Sequence, residues 1–180
     1  MTRPEVVPVT SVREREAFID LPYRLHHGDR LWTPMLRRDV RASLDPGRNP
    51  FFDHAESRLF LARADGRVVG RIAAIHDRLH NETHADHVGF FGFFECVDDA
   101  VVARELFEAA AEWLRPRGAD VLRGPVNPSM NAEAGLLVDG FTTPAVLMMP
   151  HNPRHYAALV EASLFQKAKD LLAFQNTHTT

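Results

Sequence analysis

The sequence predicts a mixed α/β (α+β) domain with helices flanking a mostly antiparallel sheet. Three observations carry that expectation. Residues 58–75, RLFLARADGRVVGRIAAI, place two apolar runs on either side of Asp65-Gly66. Asp-Gly is a strong hairpin turn because both residues tolerate positive φ. Residues 98–115 repeat apolar side chains at Ala103, Leu106, Phe107, Ala110, Trp113 and Leu114, the spacing of one helix face. Between them VGFFGFFECV, residues 88–97, reads as a third strand. A run of strands with helices on one or both sides fits this class.

The remaining elements follow from local signals. Residues 1–10 read as a short extended segment, with Val6, Val7 and Val9 around Pro8. Ser11 and Glu14 fit a capping box and open a helix expected to reach about Asp20, where Pro22 interrupts it. Tyr23 to His27 reads as a further turn closed by Gly28. Residues 29–57 carry Pro34, Pro46, Gly47 and Pro50 with Trp32, Phe51 and Phe52, and are expected to form a long loop packed by its aromatics.

Gly89 and Gly92 inside the third strand mark a bulge or a close approach by another backbone. Asp98 or Asp99 caps the long helix, and Pro116 with Gly118 ends it. Asp120–Arg123 is a short strand, followed by the turn-rich loop GPVNPSMN, residues 124–131. Asp139-Gly140 separates the apolar pieces 135–138 and 146–149. Asn152 and Pro153 are expected as cap and first residue of a helix reaching about Ala162. Residues 166–175 are expected as a last strand, before a polar tail.

Composition bounds the function. At 180 residues, 45% hydrophobic and 25% charged, the chain reads as one globular domain over 1–180. A net charge of -3 argues against nucleic-acid binding driven by bulk charge. The single cysteine, Cys96, excludes a disulfide scaffold, and with no visible signal peptide it points to a cytoplasmic location. No apolar run is long enough to span a bilayer and the mean hydropathy is -0.23, so no membrane partner is expected. Lysine occurs only at Lys167 and Lys169; the other basic residues are arginines, which fork onto carboxylates and phosphates.

Several residues carry candidate chemistry. His76, His80, His84 and His87 would place three imidazoles on one helix face near Asp77, Glu82 and Asp86. The segment matches neither H-E-x-x-H nor a Cys-His zinc pattern, so no metal is expected and a polar connection or cleft lining is preferred. Asn127, Ser129 and Asn131 are candidate substrate-binding groups; Ser129 lacks the G-x-S-x-G context of a hydrolase nucleophile. Cys96 lies beside Asp98, which argues against a nucleophilic thiolate.

The segments PYRLHHGDRLWTPML, NPFFDHAESRLFLARADGRVVGRIAA, HNETHADHVGFFGFFE, GPVNPSMNAEAGLLVDGF and MMPHNPRHYAALVEASLFQKAKDLLA cover roughly residues 20–173. Through them the chain resembles the GNAT superfamily of acyl-CoA N-acyltransferases, in particular the N-terminal half of longer bacterial GNAT-like proteins. The resemblance implies a GNAT sheet, transfer of an acyl group to an amine, acetyl-CoA or another acyl-CoA as cofactor, and a small-molecule substrate. It implies Glu95 as general base and Tyr156 as proton donor to the leaving thiolate, one turn before the usual position, which maps to Val160. It also implies that Phe93, Phe94, Cys96 and Val97 surround the cofactor, with Arg104 offsetting nearby acidic charge. A homodimer is compatible with it.

Two departures stand out. The pyrophosphate pattern Q/R-x-x-G-x-G/A is replaced by a segment from Cys96 with Asp98 and Asp99 at the helix start, where an anion would bind. Leu164-Phe165 stands where Gly-Phe is usual. These leave open a non-catalytic ligand-binding or regulatory module. A third reading is a chain truncated at the C-terminus, whose missing last strand leaves a sheet edge open.

Overall fold

The computed structural model describes residues 3–174. Its elements in chain order are β1 (Glu5–Pro8), α1 (Val12–Leu25), α2 (Arg37–Ser43), β2 (Ala55–Ala64), β3 (Arg67–Asp77), α3 (Arg78–His84), β4 (Val88–Cys96), α4 (Ala100–Leu114), β5 (Val121–Arg123), β6 (Val126–Asn127), β7 (Glu133–Ala134) and α5 (His155–Ala162). A five-stranded sheet runs β1-β2-β3-β4-β5, and β6 and β7 form a separate two-stranded pair. All neighbours in the sheet are antiparallel except β4 and β5, which run parallel across the α4 crossover. The predicted class holds.

The sheet buries both faces. Phe91, Phe94, Leu106 and Phe107 pack between the sheet and α4, joined by Tyr156 and Leu159 of α5. On the other face Phe18 and Ile19 of α1 meet Leu61, Ile75, Phe90 and Phe93. The hairpin turns where expected, with Asp65 at φ 50° and Gly66 at φ 75°. The Ser11–Glu14 capping box is present in both directions.

That box carries a pH prediction. The backbone N–H of Thr10, then the Ser11 hydroxyl, hold the Glu14 carboxyl down from its ordinary 4.5 to about 2. The folded value is depressed, so its contribution is present in full above the ordinary value and is lost as pH falls toward about 2. Glu14→Gln is therefore expected to flatten the dependence of the melting temperature on pH across that window. A slope identical to wild type refutes it.

Four expectations are corrected. The helix does not stop at Pro22 but continues to Leu25 with Pro22 inside it. Proline removes one N–H and frees the carbonyl four residues earlier, that of Phe18. Arg71 Nη1 donates to this carbonyl at 2.7 Å, so the freed oxygen keeps a partner. Residues 29–57 are not one long loop. They contain α2 and a single 3₁₀ turn, Pro50–Asp53. Buried Val40 and the ion pairs of Arg37 with Asp20 and Arg41 with Glu16 dock α2 on α1, contacts invisible to a local pattern.

The four histidines form a polar connection, the preferred reading, and two of them, His80 and His84, line a cavity. His76 ends up on β3, His80 and His84 on α3, and His87 after it. Asn152 does not cap α5, whose N-cap is Arg154 without a side-chain bond. Instead Asn152 is buried, accepting from Leu137 N at 2.7 Å and donating to Leu137 O at 3.2 Å. Residues 166–174 form no strand. The polar tail from Asn176 lies outside the described residues.

Candidate functional site

The site begins with an irregularity in β4. Arg71 pairs with Glu95 and Ala73 with Gly92, so β4 carries one residue more than β3 across the same step. This is a β-bulge, and Phe93 adopts φ 49° within it. Opposite the bulge, β6 crosses against Gly92 so closely that a Cβ there would lie 1.6 Å from Val126 O. Glycine is required by that contact. Phe93 N–H leaves the ladder and donates to Asn127 Oδ1 at 2.6 Å, while Asn127 Nδ2 donates to Glu133 at 2.7 Å.

Beyond the bulge, Glu95 gathers four elements. Its Oε2 accepts from Tyr156 of α5 at 2.7 Å and faces His26 Nε2, at the end of α1, at 3.0 Å. Arg71 of β3 stands 3.7 Å from its Oε1. Tyr156 Oη in turn accepts from Cys96 N–H at 2.9 Å. His26 stacks on Trp32 with ring centroids 4.8 Å apart. A second imidazole, His151, lies 5.9 Å from His26 and meets Asp29 Oδ2 at 2.8 Å.

Burial sets the electrostatics. It pushes Tyr156 well above its usual value, assisted by the Glu95 charge, so the phenol keeps its proton. Burial pushes Arg71 down, opposed by Glu95. Glu133 is raised, again chiefly by burial. The Cys96 thiol is pushed up to about 12 by burial, then by Asp99 and Asp98, which agrees with the expectation that it is no nucleophile.

The expected residues therefore divide. Glu95, Tyr156, the Cys96 amide, Phe93 and Asn127 come together. Phe94 is core, stacked on Phe107 at 4.8 Å, and Val97 N–H extends the sheet to Val69 O. Arg104 does not offset Asp98 and Asp99; it reaches Glu105 and Glu108 on its own helix. Asp99 already accepts from Val101 N at 2.8 Å and Val102 N at 3.3 Å, so its own carboxylate occupies the start of α4. Ser129 and Asn131 line a neighbouring cavity of about 300 Å³ with Phe51, His54, His80 and Phe90.

Sequence reading missed His26, Asp29, Arg71, Glu133 and His151. The signals for three of them were Pro22, which frees a carbonyl for Arg71, and LHHGD, polar and compact at a helix end, which holds His26 and Asp29. His26, Asp29 and His151 hold donor atoms within 4.8 Å of one another, a set that also suits a metal ion.

Solved structures place this architecture. An aminoglycoside acetyltransferase from an uncultured soil metagenomic sample, in complex with sisomicin, superimposes with TM-score 0.56 at 9% identity over 98% of this chain and 97% of that one. AAC(6')-Iy with the bisubstrate analogue CoA-S-monomethyl-acetylneamine gives TM-score 0.55 at 14% identity over 98% and 100%. The fold is that of the GNAT acetyltransferases. No protein-family model matches the chain. In sequence it is 44% identical to the bacterial ceramide synthase of Caulobacter vibrioides over 97% of its length, and 40% identical to protein YghO of Escherichia coli over 88%. It spans 46% and 40% of those proteins, less than half the length of the curated relatives it matches. The site lies just past Phe90–Arg123, where the parallel pairing of β4 and β5 ends, and beside the β6–β7 pair. Among the described residues no helix is long and apolar enough to cross a membrane.

Proposed function

We propose that this domain transfers an acyl group from an acyl-CoA to a primary amine. The observation that carries the reading is the convergence of Glu95 and Tyr156 beside the β4 bulge of a GNAT fold. The amine nitrogen attacks the thioester carbonyl, the C–N bond forms and the C–S bond breaks. Tyr156 supplies the proton to the thiolate, and Glu95 anchors Tyr156 and His26. Cys96 N–H, which now donates to Tyr156 Oη, is the group a thioester oxygen would take over.

The start of α4 is closed to a pyrophosphate by Asp99. We assign the cofactor's phosphates instead to a cavity of about 570 Å³ where Arg13, Arg24, Arg63 and Arg67 outnumber the one carboxylate, Glu14, which stands 3.6 Å from Arg63. It lies beside Val68, close in register to the Gly70–Cys96 pair and hence to the same end of β4. For the acceptor we propose a long-chain amino alcohol. A ceramide is the amide of such an amine, and the name of the Caulobacter relative supports that class. The cavity that holds His54, His80, Ser129 and Asn131 beside Phe51, Phe90 and Met130 offers polar partners for its hydroxyl and apolar contacts for the start of its chain.

Thermal melts test the cofactor first. At 100 times its dissociation constant a ligand adds about 2.7 kcal/mol, a shift of several degrees. A long-chain acyl-CoA is expected to raise the melting temperature by that much. A cooperative melt unmoved by either acetyl-CoA or long-chain acyl-CoA refutes the reading and favours a module that binds another ligand.

A further inference from the structure

We infer that His26, Asp29 and His151 form a binding site for a divalent transition-metal ion, Zn²⁺ or a metal of similar ligand preference. The inference goes beyond the acyl-transfer reading and does not depend on it. One donor atom from each of the three side chains lies within 4.8 Å of the other two. Two imidazoles with one carboxylate suit zinc and its first-row neighbours, whereas magnesium and calcium take oxygen ligands.

The surroundings fit an ion. His26 directs Nε2 at Glu95 Oε2, 3.0 Å away. A metal-bound histidine commonly gives its second nitrogen to a carboxylate in this way, which fixes the tautomer and leaves the other lone pair for the ion. Trp32 stacks on the same ring and limits its rotation. Asp29 is held through Oδ1 by Leu31 N–H at 2.9 Å, with Oδ2 turned to His151 Nε2 at 2.8 Å. His151 Nδ1 is buried and has no hydrogen-bond partner. Buried polar atoms are rarely left so, and a ring held by a single hydrogen bond can exchange it for a bond to an ion.

Charge points the same way. The carboxylates of Asp29, Glu95 and Glu133 stand around the two rings, and among the described residues Arg71 is the guanidinium that faces them. A divalent cation offsets that negative excess. It has a way in, because the Asp29 side chain is 37% exposed while that of His26 is 2%. Three protein ligands leave a fourth position for water on that open side. The ion ties the end of α1 to the segment before α5. His26 and Tyr156, carried by those two parts, both hold Glu95, so the metal braces that carboxylate from two directions.

The test is titration of the metal-stripped protein with Zn²⁺ against a chromophoric chelator, with Co²⁺ absorption and thermal melts as further readouts. A single Zn²⁺ per chain is expected to bind, and at 100 times its dissociation constant to raise the melting temperature by several degrees. Loss of a partner behind a ligand costs about 10–100-fold in metal affinity, so His151→Ala and Asp29→Asn, which remove ligands, should each cost more than about 100-fold. Both should also abolish the visible Co²⁺ bands. Asp29→Asn alters an exposed side chain and gives the reading if His151→Ala folds poorly. His84→Ala, in the α3 pair His80–His84 with ring centroids 4.5 Å apart, should bind as wild type does. A wild type that takes up no Zn²⁺ overturns the site. So do His151 and Asp29 variants that bind as tightly as wild type, or loss of binding in His84→Ala, which places the ion on α3. The acyl-transfer reading stands or falls separately, on the acyl-CoA melts.

Discussion

Glu95→Gln is expected to abolish most acyl transfer and to weaken the fold. The side chains of Glu95 and Arg71 are 13% and 7% exposed. Removing one charge leaves the other buried and uncompensated, a loss of about 3 kcal/mol. The same change takes the charged acceptor from Tyr156 and His26, for an expected fall in kcat of at least about 100-fold. Urea unfolding and steady-state kinetics below the melting temperature separate the two effects. Replacing both residues, Arg71→Met with Glu95→Gln, should recover only part of the stability, because the Phe18 carbonyl then loses its donor, and none of the rate. A single variant as stable as wild type would mean that the guanidinium is neutralised elsewhere.

Gly92→Ala is expected to cost about 3 kcal/mol, a large value for one methyl group. The new Cβ would lie 1.6 Å from the Val126 carbonyl oxygen, and that contact is backbone on both sides. The β6–β7 pair must lift, which exposes Val126 and breaks the Phe93 N–H bond to Asn127. Gly89→Ala is the comparison: its Cβ would meet side chains only, Leu114 at 2.7 Å and Ala119 at 3.1 Å, which can shift where a backbone carbonyl cannot, so its loss should be smaller. Equal losses from the two changes, measured by urea unfolding, would contradict this account.

The fold was legible because its signals are local. The Asp65-Gly66 turn, the Ser11–Glu14 cap, the apolar face of α4 and the two glycines of β4 each act within a few residues. The site was half legible. Glu95 and Tyr156 were reached by resemblance, and Asn127 by its polar loop. Arg71 was hidden in a strand that reads as uniformly apolar, because the carbonyl that holds it belongs to another element. Asp29 and His151 are 122 residues apart, so their pairing has no local trace. Asn152 misled for a related reason: a good helix cap is also a good clamp for a neighbouring backbone, and Leu137 won.

The proline in α1 has one more consequence. A regular α-helix satisfies every interior carbonyl from within and has nothing to offer a neighbour. By withholding one amide, Pro22 turns the Phe18 oxygen into an outward-facing socket, and the guanidinium that plugs it also confronts Glu95. The best helix and the best-ordered site therefore compete for a single oxygen atom. Selection for a smoother α1 would loosen the chemistry one strand away, so a local defect serves as the joint between scaffold and reaction centre.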